Sequence, residues 1–173
     1  NGGGKVFGAA FGDPALVADS ESGKMTLITV SGTTAYPNAT GTDHNLVSVQ
    51  FSDNNGATWS EPENITSQFW GAASGMFADA DTEAASTTFA YSGFFGSGKI
   101  LQSRVTKVGE YYRIYAAMLC RGKNIKGAYV VYSDDMGHNW KLLGGDNTVK
   151  AAEGSDEPII KADLIDCGNP ANK

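Results

Sequence analysis

The sequence predicts an all-β chain, and among the all-β folds it favours a β-propeller. Three observations support this prediction: short strand-like runs alternate with Gly, Asn and Asp residues, no long stretch has helical periodicity, and one eight-residue motif occurs twice. The chain has 173 residues, 41% hydrophobic and 18% charged, which suits one globular domain with a real core. We therefore expect residues 1–173 to form part of a single domain.

The predicted strands are runs rich in β-branched, aromatic and aliphatic residues, each bounded by turn-forming residues. In chain order they cover residues 25–30, 46–51, 99–105, 111–119, 128–132 and 140–143. Residues 71–90, rich in Ala, Ser and Thr, match neither a helix nor a strand pattern. We expect that segment to form a long loop or a weakly structured insertion.

The repeated motif is SDNNGATW at residues 52–59 and SDDMGHNW at residues 133–140, each after a predicted strand. We call these segments the first and second repeat turns. The glycine in each suits a backbone position with positive φ, and the serine and the residue two places after it can bond nearby backbone N–H groups. The tryptophan can cover the turn with aromatic area. Each repeat turn is thus predicted to be a self-contained clasp of a hairpin.

The spacing of the two copies separates the all-β alternatives. Ser52 and Ser133 lie 81 residues apart, whereas a propeller blade takes roughly 40–50 residues. This spacing favours a propeller over a sandwich, with the two turns two blades apart and one blade between them that lacks a copy. At roughly 45 residues per blade, the chain is expected to hold a partial set of about three to four blades.

Composition excludes several classes of partner. The net charge is −6, the sequence pI is about 4.8, and Lys and Arg are scattered, whereas a nucleic-acid partner needs a basic patch. No apolar run approaches the roughly 20 residues of a membrane-spanning helix. His44 and His138 are the two histidines, and no Cys and His residues have zinc-site spacing, so we expect no metal and no cofactor. Cys120 and Cys167 suit buried free thiols, although a disulfide between them stays open.

The repeat turns resemble the Asp-box, or BNR repeat, Ser-x-Asp-x-Gly-x-Thr-Trp, of sialidases. Asn54 replaces the Asp of that pattern in the first turn, and Asn139 replaces the Thr in the second. Residues 11–19, 94–104 and 154–158 look like segments of bacterial exo-sialidases, in the family's order. The chain therefore resembles the central part of the catalytic domain of bacterial exo-α-sialidases (neuraminidases, glycoside hydrolase family 33), over most of residues 6–160.

This resemblance implies a six-bladed propeller and an enzyme that removes terminal sialic acids with retention of configuration. The family's site has three arginines on the substrate carboxylate, an aspartic acid as general acid, and a tyrosine nucleophile assisted by a glutamate; sialidases are exceptions to the paired-carboxylate mechanism. It also implies sialylated glycans or glycoproteins as partners and a location outside the cytoplasm, whether secreted, periplasmic or attached to the surface.

Five residues take candidate roles from the resemblance. Glu157 matches the catalytic glutamate, with an exposed loop glutamate as the alternative. Asp13 resembles an aspartate near the sugar's 4-position, or else it is a turn residue before Pro14. Tyr36 lies in a loop that presents an aromatic side chain to the N-acetyl pocket. Phe94 and Gln102 resemble positions near the glycerol side chain, although core packing for Phe94 and a structural role for Gln102 are the alternatives.

Other parts of the family's site have no match in this sequence. Nothing before Asp13 matches the first arginine and the general acid, and residues 161–173 do not resemble the segment that carries the remaining arginines and the nucleophile. Arg104, Arg113 and Arg121 lie at positions that do not match the triad. We expect a central piece of a sialidase domain, or a shortened relative, that carries only part of the active site.

Two other hypotheses fit the same residues. One is a non-catalytic Asp-box propeller module that binds sialylated or other glycans without hydrolysing them. The other is a structural fragment that packs against missing blades or associates with itself, because an incomplete propeller exposes strand edges that tend to pair.

Overall fold

A computed structural model of the chain describes residues 6–40, 43–70, 75–77, 90–96, 98–122, 126–144, 152–153 and 158–160. These residues form eleven strands: β1 Phe11–Ala18, β2 Met25–Ser31, β3 Leu46–Ser52, β4 Glu63–Asn64, β5 Ser92–Phe95, β6 Gly98–Lys99, β7 Leu101–Val108, β8 Tyr111–Arg121, β9 Lys126–Ser133, β10 Lys141–Leu142 and β11 Ala152–Glu153. Two 3₁₀ turns, Tyr36–Asn38 and Thr66–Gln68, are the helical elements of this described part. None of its helices is long and apolar enough to cross a membrane.

The first sheet has the order β4-β3-β2-β1-β6. Strands β1 to β4 form an antiparallel meander, and β6 adds to the outer side of β1 in parallel. Strands β2 and β3 pair along their whole length, and Ile28 lies opposite Val49 with both side chains buried. These β-branched residues pack well on a pleated surface, which explains why this pair forms the centre of the sheet.

The second sheet has the order β10-β9-β8-β5, with β7 also on β8 and β11 also on β9. The 11-residue strand β8 pairs with β5 near its end and with β7 near its beginning. Strands β5 and β7 therefore share one edge of β8 and act together as one interrupted strand. Each sheet is thus a meander in which a repeat turn follows the third strand, β3 in the first sheet and β9 in the second.

The hydrophobic core lies between the two sheets. From the first sheet it includes Ala15, Ile28, Val47 and Val49, from the second Ile114, Met118, Tyr129 and Val131, and from the connecting segment Phe69, Trp70 and Phe77. The second repeat turn closes the core at one end, where the His138 ring stacks on Phe51 with ring centroids 4.1 Å apart and Thr26 donates a hydrogen bond to the Met136 carbonyl. The two sheets therefore share one core and are joined by polar contacts as well.

The hydrogen bonds of the two repeat turns are those expected of a clasp. The serine hydroxyl accepts a bond from the glycine N–H four residues later, at 2.9 Å for Ser52 and 2.8 Å for Ser133. The Oδ1 atoms of Asn54 and Asp135 each accept a backbone N–H from four residues later, at 2.9 Å. Both glycines have positive φ, and so do the residues before them, Asn55 and Met136. The Trp140 indole N–H bonds the Gly137 carbonyl at 2.9 Å and so covers its turn.

The predicted strands are confirmed in position. All six predicted runs lie on strands β2, β3, β6 with β7, β8, β9 and β10, and the segment likened to a sialidase strand at residues 11–19 is β1. The prediction did not include β4 or β11, which have two residues each, and it included only the end of β5, through the segment likened to a sialidase strand at residues 94–104. Most of residues 71–90, expected as a loop or insertion, lie outside the described residues.

The prediction of an intervening blade between the repeat turns is wrong for the described part of the chain. The two turns lie at equivalent positions of consecutive sheets, and the described residues between β4 and β5 include a 3₁₀ turn but no strand. The two repeat turns are far apart in sequence for two reasons. The connection between β4 and β5 runs from residue 65 to residue 91, and the edge of the second sheet is built from two strands, β5 and β7, with further residues between them. Two sheets are described and they do not close into a ring, so the predicted three to four blades remain a prediction.

Candidate functional site

The candidate site begins at the 3₁₀ turn Tyr36–Asn38, in the loop that joins β2 to β3. Proline at position 37 fixes φ near the value that such a turn needs, and its missing N–H costs nothing at the first turn. The Asn38 N–H closes the turn on the Ala35 carbonyl at 2.9 Å. The sequence thus builds a short, stiff turn that presents the half-buried Tyr36 side chain.

Tyr36 packs against Phe94 of β5, although the two residues are far apart in the chain. Their rings meet edge to face, with centroids 4.9 Å apart and an interplanar angle of 90°, the geometry that aromatic pairs prefer. Side chains alternate along β5, so Phe95 is fully buried in the core while Phe94 is only half-buried. The structure therefore brings together two of the five predicted site residues, and the core position belongs to Phe95 rather than to Phe94.

Three side-chain bonds fix the backbone of this turn to the second sheet. Ser92 donates to the Tyr36 carbonyl at 3.1 Å, and Arg121 Nη1 donates to the carbonyls of Pro37 and Tyr36 at 2.6 and 3.4 Å. Ser92 and Arg121 lie directly opposite each other on β5 and β8. The Tyr36 turn is consequently held in two ways: its ring packs on Phe94, and its carbonyls accept hydrogen bonds from side chains of the paired strands β5 and β8.

Asp13 lies at a β-bulge, where β1 shifts register against β2 between Gly12 and Ala15. Its φ is 48°, an uncommon value for a residue other than glycine, although aspartate tolerates it better than most. Strand β1 begins opposite Ser31, the last residue of β2, from which the loop of Tyr36 departs. Asp13 is therefore near the same end of the first sheet as the Tyr36 turn.

Gln102 is engaged elsewhere, at the turn between β1 and β2. Its Nε2 donates to Asp19 Oδ1 at 2.6 Å, and its Oε1 accepts the Ser20 N–H at 3.0 Å. Burial raises the pKa of the Asp19 carboxyl, but hydrogen bonds from Ser22 and Gln102 outweigh burial, and the pKa lies below its ordinary value of 3.8. The structure does not bring Gln102 to the Tyr36–Phe94 pair, and these bonds fit the structural alternative.

Glu157, the predicted catalytic base, lies outside the described residues. The next residue, Pro158, is described, and its carbonyl lies so close to Gly96 that a Cβ atom there would overlap the carbonyl oxygen. Gly96 follows β5 and is two residues from Phe94. A segment adjacent in sequence to Glu157 is thus packed beside the strand that carries Phe94.

The three arginines of the sequence do not gather into one cluster. Arg113 Nε forms an ion pair with Asp134 Oδ1 at 2.6 Å, and its guanidinium lies 4.2 Å from the centroid of the Tyr132 ring. Arg121 is eight residues further along β8, about 27 Å away along an extended strand. Arg104 is exposed on β7. The geometry agrees with the expectation that these residues do not form a carboxylate-binding triad.

Sequence reasoning missed the roles of Ser92 and Arg121 at this turn. Neither residue lies in a motif, and an arginine at the end of a strand is ordinarily a solvated side chain. Only the β5–β8 register places both side chains beneath the turn. Among the described residues, no group of three His, Cys, Asp or Glu side chains is arranged to hold a metal ion.

Comparisons with known proteins identify the fold. No protein-family model matches the chain, and no curated protein matches it in sequence. The solved structures that match include three that cover 76–77% of the chain: a Hadza microbial sialidase (TM-score 0.55, 21% identity), the intramolecular trans-sialidase of Ruminococcus gnavus in complex with oseltamivir carboxylate (0.53, 12%), and the leech intramolecular trans-sialidase complexed with 2,7-anhydro-Neu5Ac prepared by soaking with 3′-sialyllactose (0.53, 12%). The chain has a sialidase-type all-β fold. It spans 24%, 43% and 31% of those three chains, less than half of each.

Proposed function

We propose that the chain is the central part of the catalytic domain of an exo-α-sialidase, which hydrolyses terminal sialic acids from glycoconjugates with retention of configuration. The observation that carries this proposal is the contact between Tyr36 and Phe94, two residues that the resemblance assigns to the sugar site from distant parts of the chain, in a sialidase-type fold. The repeat turns would then be Asp-boxes, and the substrates would be sialylated glycans or glycoproteins outside the cytoplasm.

In this proposal Tyr36 and Phe94 form an aromatic wall for the apolar parts of the sugar's side groups. Their half-buried rings leave area that a methyl or methylene group of the ligand can cover. Asp13, at the same end of the first sheet, would accept hydrogen bonds from a sugar hydroxyl. The substrate-binding role of Gln102 stays a prediction, because both ends of its amide already bond the β1–β2 turn.

The proposed role of Glu157 is to assist a tyrosine nucleophile as its base. The anomeric carbon of a sialic acid bears a carboxylate, which repels an anionic nucleophile but not a neutral phenol. A phenol needs a nearby base to become nucleophilic, and a carboxylate supplies one. The contact of Pro158 with Gly96 supports a place for this segment beside Phe94. The chain offers no matching residues for the nucleophile, the general acid or the arginine triad.

The test is release of a fluorophore from a generic sialic-acid glycoside. The assay is run on this chain and on the natural gene product that contains it. Each protein is tested unchanged, with Glu157→Gln, and with Glu110→Gln, a matched control at an exposed turn. The gene product and its Glu110 variant should turn over, while Glu157→Gln lowers kcat by about a hundredfold or more, the usual range for loss of a general base. A gene product that releases no fluorophore contradicts the proposal. Turnover by the 173-residue chain alone would show that its site is complete.

A non-catalytic glycan-binding module is the second candidate, and the separated arginines favour it. Arg113 is committed to Asp134 and Arg121 to backbone carbonyls, so their donors are used within the fold rather than gathered for a substrate carboxylate. Binding of 3′-sialyllactose by the gene product without any hydrolysis would establish this candidate. Loss of that binding in Tyr36→Ala would assign it to the same surface.

A further inference from the structure

We infer that Arg121 is a positioning residue that sets the affinity of the proposed sugar site by holding the Tyr36 turn against Phe94. This inference rests on the proposed function. Arg121 acts here through the turn, not by touching the ligand. Its side chain comes from the end of β8 in the second sheet, whereas Tyr36 lies in a loop of the first sheet.

The contacts form a three-point hold. The Tyr36 ring rests on Phe94 at 4.9 Å, while its carbonyl accepts bonds from Ser92 and Arg121. Ser92 and Phe94 are two residues apart on β5 and so face the same way. The shortest bond, 2.6 Å, runs from Arg121 to the Pro37 carbonyl. Two consecutive carbonyls of the turn are therefore bonded to one guanidinium.

The identity of this side chain matters chemically. A guanidinium is always charged near neutral pH and presents several N–H donors in a fixed plane, so that Nη1 alone can reach two carbonyls. Bonds from a charged donor are stronger than neutral ones. Lysine keeps the charge but carries its three donors on a flexible stem without the fixed plane, whereas glutamine, of shorter reach, provides a neutral donor. The series Arg, Lys, Gln thus weakens the hold in steps.

The partner ring is fixed from the same loop. The Asn45 side chain, just before β3, donates to the Gly93 carbonyl at 2.6 Å and accepts the Gly93 N–H at 3.3 Å. Gly93 precedes Phe94, so β5 cannot shift easily relative to the loop. The Tyr36 turn is held by Ser92 and Arg121, and Arg121 alone supplies a charged donor and bonds both the Tyr36 and the Pro37 carbonyls.

The experiment uses the natural gene product with Arg121→Lys, Arg121→Gln and, as a matched control, Arg104→Gln on exposed β7. Hydrolysis of 3′-sialyllactose gives kcat and KM, thermal unfolding gives Tm, and hydrogen exchange is followed at the amide of the buried residue Ala39, which bonds the Tyr36 carbonyl at 3.4 Å. We expect Arg121→Gln to raise KM about tenfold with kcat nearly unchanged, the size expected for a charged hydrogen bond. Arg121→Lys should lie between, and Arg104→Gln should match the parent.

The exchange measurement tests whether Arg121 holds the turn, separately from whether that turn sets the affinity for the sugar. Faster Ala39 exchange together with a raised KM in Arg121→Gln, partly restored by lysine, supports the inference. A lower Tm with unchanged KM shows a merely structural arginine and overturns it, and so does unchanged Ala39 exchange. If the parent neither hydrolyses nor binds 3′-sialyllactose, the proposed function fails and this role at a sugar site fails with it, while the exchange result still decides whether Arg121 holds the turn.

Discussion

Replacing Asp135 by asparagine tests the clasp of the second repeat turn. The two carboxylate oxygens accept from three donors: the Ser133 hydroxyl at 2.7 Å and the Asn139 backbone N–H at 2.9 Å on Oδ1, and the Asn139 side-chain amide at 2.6 Å on Oδ2. An asparagine at 135 has one oxygen and one NH₂ group. With its oxygen at the Oδ1 position, this NH₂ faces the Asn139 amide, which must turn its own oxygen toward it, and every bond loses the charge of its acceptor.

The size of the loss follows from these contacts. A hydrogen bond to a charged group contributes roughly 1.5–3 kcal/mol, and the Asn139 end of this one is exposed, so we take about 1–2 kcal/mol. For a chain of this length each kcal/mol lowers Tm by about 2–4 °C, which gives a fall of about 2–8 °C. Burial raises the pKa of the Asp135 carboxyl, but hydrogen bonds from Asn139 and Ser133 outweigh burial and lower it below 3.8. Because this pKa is lower in the folded than in the unfolded chain, the carboxylate stabilises the fold at any pH above its ordinary pKa. This stabilisation disappears as the pH falls through the folded-state pKa.

The first repeat turn supplies the rescue. There Asn54 donates through Nδ2 to the Thr58 hydroxyl at 2.8 Å, so an amide at this position is satisfied when a hydroxyl lies four residues later. Adding Asn139→Thr to Asp135→Asn should therefore recover most of the lost free energy of unfolding, as measured in urea. The double variant should lack the pH-dependent part of the stability, which the Asp135 carboxylate contributes. Strictly additive effects of the two substitutions would refute this reasoning, because additivity means that the side chains do not interact.

Three further predictions concern packing, electrostatics and reactivity. Gly96→Ala should destabilise by about 1–3 kcal/mol in thermal unfolding, because its Cβ overlaps the Pro158 carbonyl, and an unchanged Tm would contradict that packing. Gln102→Glu places a second carboxylate beside Asp19, so its cost in urea unfolding should be larger near pH 7 than near pH 4; a pH-independent cost would exclude charge repulsion. Burial raises the pKa of the Cys120 thiol, so mass mapping should find Cys120 unlabelled by thiol reagents until the chain unfolds, and labelling of the native protein would show the site to be open.

The sequence predicted the long strands well, for a physical reason. Strands such as β2, β3 and β8 are defined by β-branched, aromatic and aliphatic residues, and their pattern is local. The short strands β4 and β11 have two residues each, and their pairing is determined by the neighbouring strand rather than by their own composition. The inference of an intervening blade is wrong for the described residues because it assumed a constant length per blade, whereas the chain between β4 and β5 is long.

The candidate site was less predictable. Its aromatic pair came from a family resemblance, and the contact between Tyr36 and Phe94 depends on how two sheets pack, which no local pattern encodes. Arg121 shows the limit clearly, since its role depends on the register that sets it opposite Ser92. Residue types in a motif can be recognised in a sequence, but a side chain that acts across two sheets requires the tertiary structure.

The repeat turns and the candidate site lie at opposite ends of the sheets, which separates stability from binding. The Tyr36 loop joins the end of β2 to the start of β3, whereas each repeat turn follows the end of a third strand. Strand β9 alone spans about 23 Å from Lys126, near Arg121, to Ser133. Substitutions in a repeat turn should therefore lower Tm without changing KM, whereas those at Arg121 should raise KM. The repeat turns thus carry no part of the proposed chemistry, which depends on loops at the other end.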